Sequence, residues 1–136
     1  MLNVRKKKRI LIDFDGVIHS YTTPYRHAWY IPDPPVAGCF NWLRIFIVRY
    51  PAWEVCVYSS RSRHIFAIWC MRKWFLSHGM PKDALGKLKF PKHKPAAYVT
   101  LDDRCICFDG AWDEGLKTKI IRFTSYKGMR DEIYNV

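Results

Sequence analysis

The sequence lacks any long apolar run, although 49% of its 136 residues are hydrophobic. A helix that crosses a bilayer needs about 18 to 20 consecutive apolar residues. The basic start of the chain, MLNVRKKKR, leads directly into a strand pattern instead of an apolar signal segment. We therefore expect a soluble, cytoplasmic protein that is not exported and has no membrane partner.

Paired cysteine motifs are also missing. The cysteines are odd in number, none belongs to a CxxC pair, and most of them lie within apolar runs. This pattern disfavours disulfides and zinc sites, and it predicts buried, reduced thiols. The cysteines are Cys39, Cys56, Cys70, Cys105 and Cys107.

Acidic residues are few, with 12 Asp and Glu against 23 Lys and Arg, so the formal net charge is +11. Such an excess attracts polyanions, but it also keeps an aromatic-rich protein soluble, and both interpretations stay open. The chain has no internal repeat and no low-complexity linker. Its length is typical of one domain, so we expect a single domain over residues 1–136.

Four short apolar runs predict β-strands. Segments with helical or irregular patterns separate these runs. The runs cover residues 9–14, 53–58, 96–101 and, less clearly, 119–123. Continuous apolar runs of this length are typical of strands buried in a parallel sheet.

Two helices are predicted between these strands. Apolar residues recur at three- to four-residue spacing after Pro35 until Pro51 ends the pattern. A second helix is predicted over residues 63–78, with Gly79 as its C-terminal cap. Strands that alternate with helices indicate an α/β fold. One face of the second helix is marked by Ile65, Trp69, Arg72 and Leu76.

Polar side chains follow three of the predicted strands. Asp13 and Asp15 follow the first, Ser59 ends the second, and Asp102 and Asp103 follow the third. Open α/β sheets build their sites at the carboxyl ends of the strands. Four carboxylates in one crevice repel each other unless a cation lies among them, and oxygen ligands favour Mg²⁺. Such residues are also common in ordinary turns, but three such ends in one chain disfavour that interpretation.

The stretches LIDFDGV, VCVYSS and HKPAAYVTLDDR resemble the four ordered motifs of the haloacid dehalogenase superfamily of phosphotransferases, and the last stretch contains two of them. The motifs cover about residues 10–110. The segments SSRS and LDDR further resemble the small phosphatase domains of polynucleotide 3′-phosphatases and of phage-encoded members. The resemblance implies a Rossmann-like domain with a central, mostly parallel sheet flanked by helices and without a large cap domain.

The resemblance also implies a reaction through a covalent carboxylate intermediate. Asp13 would be the nucleophile. Asp15 would protonate the leaving oxygen and then take a proton from the attacking water. Mg²⁺ would be held by Asp13, the backbone carbonyl of Asp15 and one acid of the following pair, with Asp103 favoured and Asp102 in support.

Further residues would bind the substrate. By the same resemblance, Ser59 and Lys94 would contact the transferring phosphoryl group. Ser60 is a close alternative to Ser59, other lysines of the same loop are alternatives to Lys94, and Arg61 is a further candidate for substrate binding.

Residues 16–35, which we call the flap, carry four of the eight prolines and show no helical periodicity, so we expect a loop. The flap interleaves aromatic and basic residues. Tyr25 and Trp29 can therefore stack on bases, although these rings can equally pin the flap to the body of the domain or to a partner.

Too few residues separate Asp15 from Ser59 to form a folded cap, so we expect an open site. An open site suits a large substrate, such as a nucleic-acid end, or a cover from a neighbouring subunit in a homo-oligomer. Three hypotheses follow: a Mg²⁺-dependent phosphatase for nucleotides or nucleic-acid ends, a phosphatase for sugar phosphates or phosphoproteins, and a catalytically silent, basic nucleic-acid-binding module.

Overall fold

The computed structural model describes residues 7–126, and the chain divides into two compact units after Leu101. The expectation of a single domain over residues 1–136 stays a prediction.

The first unit is built on a four-stranded, all-parallel sheet. Its strands are β1 (Lys8–Ile12), β2 (Trp53–Val57), β3 (Leu88–Lys89) and β4 (Val99–Leu101), in the order β3-β2-β1-β4. The predicted α/β class with a central parallel sheet flanked by helices is therefore confirmed. The two-residue strand β3 was not predicted, because it lies within a lysine-rich segment.

The central strand β1 pairs with β2 on one side and with β4 on the other. Ile12 is opposite Val57 in β2 and Leu101 in β4. Ile12 and Val57 are buried, whereas Leu101 is half exposed because β4 lies at the edge of the sheet. The carboxyl end of β1 is thus flanked by the carboxyl ends of two neighbours.

Helices fill the connections between the strands. They are α1 (Cys39–Arg49), a short 3-10 helix (Ser60–Arg63), α2 (Ile65–Ser77) and α3 (Lys82–Leu85). The predicted end of α2 at Gly79 is confirmed, because Gly79 has a φ of +96° that other residues rarely adopt.

Aromatic side chains of α2 form much of the core. Phe75 is fully buried and packs against Phe14, Phe40 and Phe90. The buried side of α2 is formed by Ala67, Met71, Trp74 and Phe75. The helix face that the sequence spacing indicated is a different one. It lies on the exposed side of α2, since Ile65 and Trp69 are 69% and 53% exposed.

The second unit contains one helix, α4 (Glu114–Ile121), in its described part. The predicted strand at 119–123 is wrong, because most of that segment belongs to this helix. Asp113 caps the helix by accepting a hydrogen bond from the Leu116 N–H at 2.9 Å, and Glu114 forms an ion pair with Lys117. These local polar contacts favour a helix over a short apolar strand.

The cysteine prediction is partly wrong. Cys56 is buried in β2, but Cys105 and Cys107 are exposed in the irregular segment before α4. An apolar neighbourhood in the sequence does not ensure burial where no strand or helix forms. Within residues 7–126, no helix is both long and apolar enough to span a membrane.

Candidate active site

The sheet brings the predicted strand ends of the first unit to one edge. The N–H of Asp13 donates to the carbonyl of Leu101 at 2.9 Å, and the N–H of Tyr58 donates to the carbonyl of Ile12 at 3.1 Å. Parallel pairing therefore continues to the last residue of β1 on both sides. Asp13 emerges between the end of β2, where Ser59 lies, and the end of β4.

A tight turn follows the end of β1. It gives Asp13 and Asp15 different surroundings. Gly16 has a φ of +84°, and its N–H donates to the carbonyl of His19 at 2.8 Å. The turn requires the left-handed conformation that glycine adopts without strain. Asp13 stays half-buried, whereas Asp15, within the turn, is buried.

Both carboxylate oxygens of Asp15 bind buried, nitrogen-bearing side chains. Oδ2 accepts a hydrogen bond from Nε of Arg61 at 2.8 Å, and Oδ1 lies 2.9 Å from Nδ1 of His19. Burial by itself raises the pKa of Asp15. The hydrogen bonds from His19 and Arg61 and the charge of Arg61 outweigh this effect and hold that pKa below its usual value. Asp15 is therefore ionised at neutral pH.

The tautomer of His19 follows from its two neighbours. The backbone N–H of Asp33 donates to Nε2 of His19 at 3.1 Å, so this nitrogen carries no proton. Nδ1 of the neutral ring then bears the proton and donates it to Asp15. The Asp33 carboxylate lies farther from the ring, at 3.6 Å, and binds Thr23 through the Thr23 N–H and hydroxyl.

Arg61 joins this carboxylate to the flap. Its side chain is 1% exposed, and Nη1 lies 2.9 to 3.1 Å from the carbonyl oxygens of His27, Ala28 and Tyr30. Arg61 is thus a structural link between Asp15 and the flap. The assignment of Arg61 to substrate binding stays a prediction, and the structure gives this buried side chain several protein partners.

The flap is closed at its base and fastened to α2. The N–H of Val36 donates to the carbonyl of Ile18, and the N–H of Ser20 donates to the carbonyl of Pro34. The indole of Trp74 donates to the carbonyl of Asp33 at 2.8 Å. As expected, the flap contains no helix, but it is a loop with fixed ends.

The two serines at the end of β2 differ in exposure. Ser59 is buried and caps the 3-10 helix, because its hydroxyl oxygen accepts from the Arg61 N–H while its own N–H donates to the Ser62 hydroxyl. A hydroxyl that accepts a hydrogen bond keeps its own proton to donate. Ser60 is exposed. Their roles toward a substrate stay predictions.

Lys94 is exposed in the irregular segment between β3 and β4. The ammonium of the nearby Lys89 already forms an ion pair with the carboxylate of Glu54, at 3.0 Å. The contact of Lys94 with a phosphoryl group stays a prediction.

The acidic pair that follows β4 opens the second unit. Asp102 is exposed, and its carboxylate accepts a hydrogen bond from the Arg104 N–H at 2.9 Å, which stabilises a turn. Asp103 is half-buried. The roles of Asp103 as metal ligand and of Asp102 as its support stay predictions.

The aromatic residues predicted to bind substrate remain accessible in the flap. Tyr25 and Trp29 are each 47% exposed. The guanidinium of Arg61 lies 5.0 Å from the ring centroid of Tyr25, and the ring of Trp29 lies 4.8 Å from that of His27. Each ring therefore contacts a side chain of the protein and is also partly exposed, and its stacking on a base stays a prediction.

The sequence did not predict that His19 and Asp33 complete the buried network. Neither stands at a strand end or within a motif, and their contacts depend on how the flap folds back. The one available signal was that these two polar residues lie at the two ends of the proline-rich flap.

We expect the Arg61→Leu substitution to lower the free energy of unfolding by about 3 to 5 kcal/mol, because it leaves the charge of Asp15 buried without its guanidinium partner. Arg63→Leu, at the exposed end of the same 3-10 helix, should change it by no more than about 0.5 kcal/mol. Urea unfolding at pH 7 measures both differences.

The effect of Arg61→Leu should shrink on acidification. The folded state lowers the pKa of Asp15, so the stabilisation is complete above the unfolded pKa and is lost as the pH falls through the folded pKa. An Arg61→Leu protein as stable as wild type at pH 7, or a difference that grows toward about pH 3, would contradict the described pairing.

We compared the chain with known proteins in three ways. No family model, curated protein or solved structure matches it. The strand ends, the carboxylates and the buried network are therefore the features from which a function can be inferred.

Proposed function

We propose that the protein is a Mg²⁺-dependent phosphomonoester hydrolase of the haloacid dehalogenase type, cytoplasmic, acting on nucleotide or nucleic-acid-end phosphates. The observation that carries the proposal is the central position of β1. Its carboxyl end, which delivers Asp13, is flanked by the ends of β2 and β4 in one parallel sheet. Sites of open α/β sheets are built at such an edge.

In the proposed reaction, the Asp13 carboxylate attacks phosphorus and the bond to the leaving oxygen breaks. Asp15, which rests ionised and must first take up a proton from solvent, gives that proton to the leaving oxygen, and an aspartyl phosphate remains on Asp13. Asp15 then takes a proton from water, and the water oxygen attacks phosphorus. The bond between the Asp13 oxygen and phosphorus breaks, inorganic phosphate leaves, Asp13 is again a carboxylate, and Asp15 again holds a proton.

The ionised state of Asp15 suits the second step directly, because a general base must be unprotonated. The first step requires the protonated form, which competes with the hydrogen bonds from Arg61 and His19. Departure of the alcohol should therefore be the step that is most sensitive to changes at Asp15.

Mg²⁺ fits the donors, because carboxylate and carbonyl oxygens are the ligands it prefers. The carboxylate of Asp13 is half-buried, and Asp102 and Asp103 continue the chain from the last residue of β4. We expect Asp13, the carbonyl of Asp15 and Asp103 to hold the ion. A bound Mg²⁺ supplies positive charge that offsets the repulsion between carboxylates and phosphate.

Ser59 and Lys94 would complete the phosphoryl site. Ser59 caps the 3-10 helix at the end of β2 and keeps its hydroxyl proton to donate. The exposed ammonium of Lys94 would act as a compact positive charge for the phosphate oxygens.

Asp13→Asn should abolish Mg²⁺-dependent hydrolysis of an aryl phosphate, because an amide does not attack phosphorus. Asp83→Asn, an exposed aspartate of the short helix α3, should keep wild-type activity. Release of the coloured phenol measures the rate, and thermal unfolding confirms that both variants fold. Full activity of Asp13→Asn would exclude the covalent mechanism.

Asp15→Asn should slow the hydrolysis of an alkyl phosphate by about 100- to 10,000-fold, and that of an aryl phosphate far less. The aryl oxide is a good leaving group that needs little protonation. The ratio of the two rates within one preparation cancels any loss of folded protein. An alkyl-phosphate loss below about tenfold would argue against acid catalysis by Asp15.

Asp103→Ala should raise the Mg²⁺ concentration needed for half-maximal activity more than Asp102→Ala does. Removing a ligand weakens metal binding directly, whereas removing Asp102 disturbs only the turn that it stabilises. A Mg²⁺ titration of the two variants compares the effects, and the opposite order would make Asp102 the ligand.

A further inference from the structure

An exposed row of rings runs from the flap onto α2. We call it the aromatic row and define it by His27, Trp29, Phe66 and Trp69. Successive ring centroids are 4.8, 5.8 and 5.8 Å apart. Trp29, Phe66 and Trp69 are 47%, 55% and 53% exposed, although large apolar rings on a soluble protein are usually covered.

The aromatic row starts beside the proposed catalytic residues. Arg61, which binds Asp15, also binds the carbonyls of His27, Ala28 and Tyr30 on either side of Trp29. The backbone that carries the first rings is therefore fixed to the same guanidinium as the proposed acid. The first rings of the aromatic row are thus joined to Asp15 through a single side chain.

The charges around the row favour an anionic partner. No Asp or Glu lies between Asp15 and Asp33 or between Glu54 and Asp83, and the two segments that form the row lie within these intervals. Lys73 Nζ lies 5.2 Å from the ring centroid of Trp69, and Arg26 lies 5.4 Å from that of Tyr30. Exposed cations of these segments are Arg26, Arg63, Arg72, Lys73 and Lys82.

We infer that the aromatic row binds single-stranded nucleic acid, with unpaired bases stacked on Trp29, Phe66 and Trp69 and phosphates near Arg63 and Lys73. Aromatic faces bind every base, and cations beside them bind the backbone. Single-stranded nucleic acid would then be the substrate class of the proposed site, and this part of the inference rests on the proposed function. Binding to the aromatic row does not depend on that function.

A 5′-fluorescein-labelled oligothymidylate of about 12 nucleotides with a 3′-hydroxyl end tests the binding, because it offers no terminal phosphate to cleave. Fluorescence anisotropy with the full chain gives its Kd. We expect Trp69→Ala and Trp29→Ala each to raise the Kd by about fivefold or more. Trp42→Ala, which removes an equally exposed tryptophan from α1 (50%), should leave the Kd within about twofold.

Two further readouts separate stacking from general attraction to charge. Wild type should bind the single strand more tightly than a duplex of the same length, and Phe66→Ala/Trp69→Ala should remove this preference. The double variant should keep the salt dependence of wild type, whereas Lys73→Ala should reduce the slope of log Kd against log salt by about 0.7, as expected for one lost phosphate contact.

Equal losses in Trp42→Ala and Trp69→Ala, or a duplex bound at least as tightly by wild type, would overturn the inference. Binding of vesicles rich in anionic lipid, without binding of the oligonucleotide, would also overturn it. The same holds if the oligonucleotide does not bind and sedimentation velocity shows self-association that Trp69→Ala abolishes. Oligonucleotide binding without phosphatase activity would reject the proposed function alone. Activity on mononucleotides without oligonucleotide binding would reject the aromatic row alone.

Discussion

The buried ion pair between Arg61 and Asp15 is the constraint on which the site depends. Two charges removed from water are costly unless each finds close, well-directed partners. Arg61 therefore needs the flap carbonyls as well as Asp15, and Asp15 needs His19 as well as Arg61. Because these partners come from β1, the flap and the 3-10 helix, the placement of the flap and the orientation of the carboxylate depend on the same contacts.

The same pair limits the chemistry available to Asp15. A carboxylate bound by a guanidinium and an imidazole stays ionised at neutral pH, since its pKa is lowered, so Asp15 rests in the form that can accept a proton. The proposed nucleophile Asp13 is more exposed and lies at the strand end itself. Two carboxylates of one DxD motif thus have different surroundings, as expected where one group attacks and the other moves protons.

The sequence predicts the sheet and its polar edge well, because apolar runs such as residues 53–58 follow directly from burial in a parallel sheet. It does not predict contacts that depend on tertiary structure. His19 meets Asp15 because the flap closes on itself, and the regular spacing of Ile65 and Trp69 marks a helix face without revealing that this face is exposed. The segment 119–123 was wrongly predicted as a strand because its two isoleucines suit either structure, and the Asp113 cap favours the helix.

The central claim is that the phosphoryl group is transferred to the Asp13 carboxylate and is bound to it covalently before hydrolysis. Rapid quenching during turnover with Mg²⁺, followed by borohydride reduction and peptide mass spectrometry, tests it directly, because reduction of an aspartyl phosphate yields homoserine. The account predicts homoserine at position 13, formed only when both Mg²⁺ and substrate are present. Hydrolysis that proceeds with an unreduced Asp13, or with homoserine at another aspartate, would contradict it.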